Sequence, residues 1–166
     1  NHLRGKLVDA GVGSPLDVAI TQRDRGTLAM VRQALERRDA VLAYQPVMRA
    51  DGAGVAFYEG LIRLLDDTGR VIPAREFIGV IEDQDLGRQI DCIALKLGLN
   101  ALRAHPSLRL SINMSARSVG YPGWMQVLRR AIRQRPEIVH RLILEITETS
   151  VMQMPEIVKI FMEELQ

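Results

Sequence analysis

The sequence predicts an α/β fold of mostly parallel strands. Three observations predict it. From residue 55 onward, strand-like and helix-like segments alternate as βαβαβα. The 166-residue chain is 47% hydrophobic but only 4% aromatic, and so aliphatic a core suits layered helices and strands. The first two strands are separated only by residues 49–54. A parallel crossover needs about a dozen residues, so this pair is predicted to be antiparallel. The length fits a single domain with a sizeable core.

Residues 1–27, including "DAGVGSPLDVAITQRDRG", are mixed and turn-rich and read as a linker or the tail of an upstream domain. Helical spacing begins at Thr27, a candidate N-cap, with Leu28, Val31 and Leu35 on one face. "VLAYQPVM" (41–48) and "VAFYEGLIRLL" (55–65) read as strands joined by a turn at Asp51-Gly52. "DDTGRVIP" is expected to be a loop and "AREFIGVIED" (74–83) a short helix. Leu86, Ile90, Ile93, Leu97 and Ala101 recur at helical spacing, and this longer helix stops before His105-Pro106. "LRLSINMSA" (108–116) is a strand, and "WMQVLRRAIRQR" (124–135) is a helix closed by Pro136. "RLILEITET" (141–149) is the fourth strand, and "PEIVKIFMEELQ" (155–166) is a helix with Pro155 in its first turn. Right-handed crossovers place these helices on one side, as in a barrel, or on both, as in an open sheet.

The bulk numbers exclude several classes. A net charge of +2 gives no reason to expect a nucleic acid polymer or an anionic membrane as partner. The single cysteine, Cys92, rules out an intramolecular disulfide and fits a reducing, cytoplasmic compartment, with a small buried hydrophobe as its expected role. No apolar run approaches the roughly 18 residues of a membrane helix, so this segment is expected to make no membrane contact. The chain begins at Asn1 rather than Met and reads as an excised piece, a reading compatible with a membrane-anchored parent.

Polar residues stand where strands should be apolar. The second strand carries Glu59 and Arg63, the third Asn113, and the fourth Glu145 and Glu148. In parallel α/β folds the carboxyl ends of strands converge on the ligand site. A Glu, an Asn and a Glu arriving there make an all-oxygen cluster suited to Mg²⁺ or Mn²⁺, and such ions suit phosphoryl chemistry. Arg63 would neutralise a phosphate. Each residue also has a plainer reading. Glu59 and Arg63 would make a buried ion pair; Asn113 would cap a turn. Glu145 and Glu148 have opposite parity in a regular strand, so one would face away. Tyr44 and Gln45, before Pro46, would be a strand end.

"YQPV", "YEGLIRL", "FIGVIED", "LSINMSA" and "LEITET" occur in the order and approximate spacing of the EAL domain family, which the chain resembles from Leu28 to its end. That family hydrolyses the bacterial second messenger cyclic di-GMP. The resemblance implies a TIM-like (β/α) barrel with one antiparallel strand. It also implies two divalent metals, Mg²⁺ or Mn²⁺, and the linear dinucleotide pGpG as product. By motif, Glu59 would be the catalytic signature glutamate and a metal ligand, with Asn113 and Glu145 as further ligands. Arg63 would contact a phosphate, Leu61 would line the substrate cleft and Gln45 would lie at its rim. Glu148 would support a loop carrying other ligands, with Thr147 beside it.

Two departures stand out. Gly60 replaces the usual alanine of the signature, with a small expected effect on the chemistry. The chain stops at Gln166, before the point where the family carries "DDFGTG" and its later lysine, glutamate and glutamine. Residues 28–166 are therefore expected to be the N-terminal half of an EAL domain, a truncated barrel that is inactive by itself and associates into homo-oligomers. A GGDEF or sensory domain is the expected upstream partner. The competing functional readings are a non-catalytic EAL-like receptor for cyclic di-GMP and a dimerisation module with a vestigial site.

Overall fold

The computed structural model describes residues 14–166. Helix α1 spans Pro15–Glu36. A capping box starts it: the Ser14 hydroxyl accepts from the Asp17 N–H at 3.2 Å, and the Asp17 carboxylate accepts from the Ser14 N–H at 3.0 Å. Pro15 fills the first helical position, where its missing N–H is no loss. The cap expected at Thr27 is thus corrected, because Thr27 lies inside the helix and its hydroxyl donates to the Arg23 carbonyl. Of the turn-rich reading of 1–27, residues 15–27 are instead helical, and residues 1–13 lie outside the described residues.

Strands β1 (Ala40–Met48) and β2 (Val55–Leu65) pair antiparallel, with Gln45 opposite Glu59. The predicted hairpin is therefore present. Its turn uses Gly52 and Gly54 at φ of 71° and 125°, values that favour glycine. β3 (Val71–Pro73) was expected to be loop, yet it pairs antiparallel with Arg63–Leu65 of β2. Asp66 makes that return possible, because its Oδ1 accepts from the N–H groups of Thr68 and Arg70. β4 (Leu110–Met114) lies parallel to β2, and β5 (Leu142–Ile146) lies parallel to β4. The sheet order is β1-β2-β4-β5, with β3 on β2.

The helix expected over 74–83 is a 3-10 turn, Ala74–Glu76, followed by the single-turn α2, Ile78–Ile81. α3 (Asp85–Ala104) and α4 (Pro122–Gln134) match the periodicity. Pro136 does more than close α4, since it opens the short α5 (Pro136–Val139). α6 (Glu148–Gln153) and α7 (Pro155–Glu164) complete the chain. The fourth strand stops at Ile146 rather than Thr149 because Thr147 caps α6, its hydroxyl accepting from the Ser150 N–H at 3.3 Å.

Strand parity sorts the sheet into two faces. Tyr58, Ile62, Leu110, Ile112, Met114, Leu142, Leu144 and Ile146 pack toward α3, α4 and α7 in one core, where Trp124 meets Phe161 edge to face at 5.8 Å. A second cluster sits under α1 and joins Val31 and Ala34 to Leu64, Ile72, Phe77 and Ile81. Glu59, Leu61, Arg63, Ser111, Asn113 and Glu145 have the other parity and occupy the opposite face. Cys92 is a buried free thiol, as expected.

Candidate functional site

The site is built on that second face. Glu59 pairs in register with Ser111, and Asn113 pairs with Glu145. Asn113 stands two residues beyond Ser111, so it shares Glu59's face. The Asn113 amide nitrogen donates to Glu59 Oε1 at 2.9 Å. With its nitrogen engaged there, the Asn113 amide oxygen remains as a donor atom for a cation. Three oxygen-bearing side chains thus lie on the adjacent strands β2, β4 and β5. Asn113 and Glu145 stand next to the carboxyl ends of β4 and β5, where parallel α/β folds carry ligands, and Glu59 stands mid-strand in β2, level with Ser111.

Glu59 and Arg63 do not pair. The ion pairs among the described residues involve other arginines, and Arg63 donates to the Ile62 carbonyl at 3.2 Å. Geometry explains it: four residues along a strand span about 13 Å, whereas the same interval on a helix brings side chains into reach. Gln45 is exposed and stands across from Glu59. Leu61, Asn113 and Thr147 line a cavity of about 300 Å³ at the ends of β2, β4 and β5, together with Ile78, Arg88 and Asp91. Glu148 lies in the first turn of α6, exposed, and not on a strand. The parity argument that set it against Glu145 therefore falls away. A carboxylate in that first turn instead suits the helix dipole.

The donor set fits a hard divalent cation. Carboxylate and amide oxygens are the ligands Mg²⁺ and Mn²⁺ take. Glu59 and Glu145 supply the only two acids of the trio, and no group of three or more His, Cys, Asp or Glu forms among the described residues. Filling an octahedral shell of about six oxygens would therefore require water, substrate or further protein oxygens.

Behind the site lies a network that sequence reasoning missed. Asp91 and Arg88 of α3 are each 8% exposed, and Ser118 is fully buried. Asp91 Oδ2 accepts from the Ser115 N–H at 2.9 Å and from the Ser118 hydroxyl at 2.5 Å. The Ser118 hydroxyl accepts in turn from Arg88 Nε at 3.1 Å, and another Arg88 nitrogen donates to the Glu82 carbonyl at 2.9 Å. Burial pushes the Asp91 carboxyl above its ordinary value, against the pull of Ser118, the Ser115 N–H and the Arg88 charge. One signal was visible beforehand. Gly87, Asp91, Ala94, Gly98 and Ala101 recur at spacings of four, three, four and three, a helical stripe in which Asp91 is the single charge.

The described residues form an α/β sheet with oxygen-bearing side chains on three adjacent strands. The EAL domain family model matches residues 28–166, and the chain belongs to that family. The bifunctional diguanylate cyclase/cyclic di-GMP phosphodiesterase MucR of Pseudomonas aeruginosa is 29% identical over 142 residues, which is 81% of this chain and 20% of the relative. The cyclic di-GMP phosphodiesterase NbdA of the same species is 29% identical over 127 residues, or 74% of this chain and 16% of the relative. The chain thus spans a fifth or less of the length of these two relatives. The PaMucR phosphodiesterase, solved as a c-di-GMP complex, is similar with a TM-score of 0.66 and 28% identity, covering 84% of this chain and 59% of that one. The FimX EAL domain from Pseudomonas aeruginosa bound to c-di-GMP gives a TM-score of 0.66 at 30% identity, covering 84% of this chain and 57% of that one.

Proposed function

We propose that this chain is part of a cyclic di-GMP phosphodiesterase that uses Mg²⁺ or Mn²⁺. The observation that carries the reading is the Glu59–Asn113–Glu145 row across three adjacent strands in a member of the EAL family. Cyclic di-GMP phosphodiesterases among its relatives support it.

Glu59, Asn113 and Glu145 would hold the metal, which when bound polarises P–O bonds and lowers the pKa of a coordinated water. Arg63 lies farther along β2 on the same face, free of any carboxylate partner among the described residues, and would meet a phosphate with its planar fork. Leu61 would offer an apolar wall to the ligand. Gln45, across from Glu59, would bound the open side, and Thr147 and Glu148 would set the turn that follows Glu145. Attack of a water-derived oxygen on phosphorus with cleavage of one ring P–O bond opens the cyclic dinucleotide to linear pGpG.

The proposed setting is cytoplasmic, with a GGDEF or sensory domain upstream. The bifunctional relative supports the former, and no described helix is long and apolar enough to cross a membrane. The test is turnover of cyclic di-GMP by the full-length protein with Mn²⁺. The expected result is hydrolysis to pGpG that falls by more than about a hundredfold in Glu59→Gln, since even changes to groups behind metal ligands lower activity 10–100-fold. Tight binding of cyclic di-GMP without hydrolysis would replace this reading with a receptor.

A further inference from the structure

We infer that Asp91 is a positioning residue that sets the turns following two of the proposed metal ligands, an assignment that rests on the metal-site reading above. Its carboxylate is buried on α3 and lines the same cavity as Asn113, which Glu59 and Glu145 do not line. Its hydrogen bonds run to the turn that follows β4. Asp91 Oδ2 holds the Ser115 N–H, two residues past Asn113, and the Ser118 hydroxyl, at the end of the 3-10 turn Ala116–Ser118. Arg88 fixes that hydroxyl from its other side and ties it to the α2–α3 connection through the Glu82 carbonyl. The direction in which β4 ends, and with it the direction of Asn113, is therefore set by one buried acid.

The same turn reaches β5. The Ala116 N–H donates to the Ser150 hydroxyl at 2.7 Å. Ser150 belongs to α6, whose cap Thr147 lies two residues past Glu145. The chain of contacts Asp91, Ser115, Ala116, Ser150, Thr147 thus couples the ends of β4 and β5, so that Asn113 and Glu145 share one support. A purely local packing role for Asp91 would have no need of the second link. A buried carboxylate that accepts two hydrogen bonds at one oxygen also defines the turn more tightly than an apolar side chain does, because both donors point at a single atom.

The test uses the full-length protein and three variants: Asp91→Ala, Asp91→Asn and Ser150→Ala. Two readouts are followed in each: the side-chain amide NMR signal of Asn113, which reports its bond to Glu59, and the affinity for Mn²⁺ per folded molecule. Asp91→Ala is expected to shift the Asn113 signal and weaken Mn²⁺ about tenfold, the lower end of what supports behind metal ligands contribute. Asp91→Asn keeps an acceptor oxygen and is expected to retain most of both. Ser150→Ala leaves the α3 network intact and is expected to produce a smaller change of the same kind, so it carries the test if Asp91→Ala does not fold. An Asn113 signal and Mn²⁺ affinity unchanged in Asp91→Ala, or in Ser150→Ala where only that variant folds, would overturn the assignment. A wild-type protein that binds no Mn²⁺, with the Asn113 signal still responding to Asp91→Ala, would remove the metal site and keep the positioning role.

Discussion

Glu59 and Arg63 show how one interval means different things in different backbones. Four residues apart on a helix they would be within reach of each other; on β2 they stand apart along the strand, and Arg63 donates to the Ile62 carbonyl instead. Glu59, Asn113 and Glu145 stood out as candidates because acids and amides are out of place in strands that otherwise read as apolar. Asp91 was not singled out, because one acid in a long helix ordinarily faces solvent, and only the register of the apolar stripe marks it as buried. Asp66 makes a prediction at this scale. The Thr68 hydroxyl, then the Arg70 N–H, hold its carboxyl well below the usual range. A lowered native value means that the group adds stability above its unfolded value near 3.8 and loses it as pH falls toward the native value. Thermal melts of the wild type are therefore expected to decline more steeply below about pH 4 than those of Asp66→Ala, which starts lower at neutral pH. Parallel declines would show that the turn does not depend on this carboxylate.

At the scale of elements, the long periodic segments were readable and the short ones were not. The β1–β2 hairpin, α3 and α4 each have enough repeats to declare their period. β3 has three residues, too few for alternation to show, and exists because the Asp66 turn folds the chain back on β2. α6 was hidden because "LEITE" continues the strand's alternation past Ile146, and only the Thr147 cap reverses it. Gly60 gains a physical account here. A methyl group at this position would stand 2.8 Å from Ile112 Cδ1 and 3.3 Å from the Ser111 carbonyl oxygen. A methyl at Gly98 of α3 would stand 2.9 Å from the same Ile112 atom. Ile112 therefore fills space that the alanine usual at this signature position would claim. Gly60→Ala is expected to destabilise by about 1–3 kcal/mol through overpacking. Ile112→Val removes the clashing carbon and should recover much of that loss in the double variant, even though alone it costs about 0.5–1.5 kcal/mol. Denaturant midpoints of the two single variants and the double variant measure this; additive losses would contradict it.

Across the whole molecule, the α/β class and the antiparallel first pair followed from segment order and one short connection, both confirmed by the sheet order β1-β2-β4-β5. Ile160, Met162 and Met152 are 62%, 58% and 75% exposed, and β1 and β5 end the sheet path. Apolar surface and open strand edges of this kind drive association. A polypeptide of these 166 residues alone is expected to self-associate, as light scattering would show; a stable monomer with a cooperative melt would count against it. The polar strand face carries the proposed metal site. Calorimetric titration of the full-length protein with Mn²⁺, repeated on Glu59→Gln and Asn113→Ala, tests that face most directly. Affinity should fall about tenfold or more in both variants, as it does when groups that hold a metal are disturbed. Equal affinity in all three proteins would place any bound cation elsewhere.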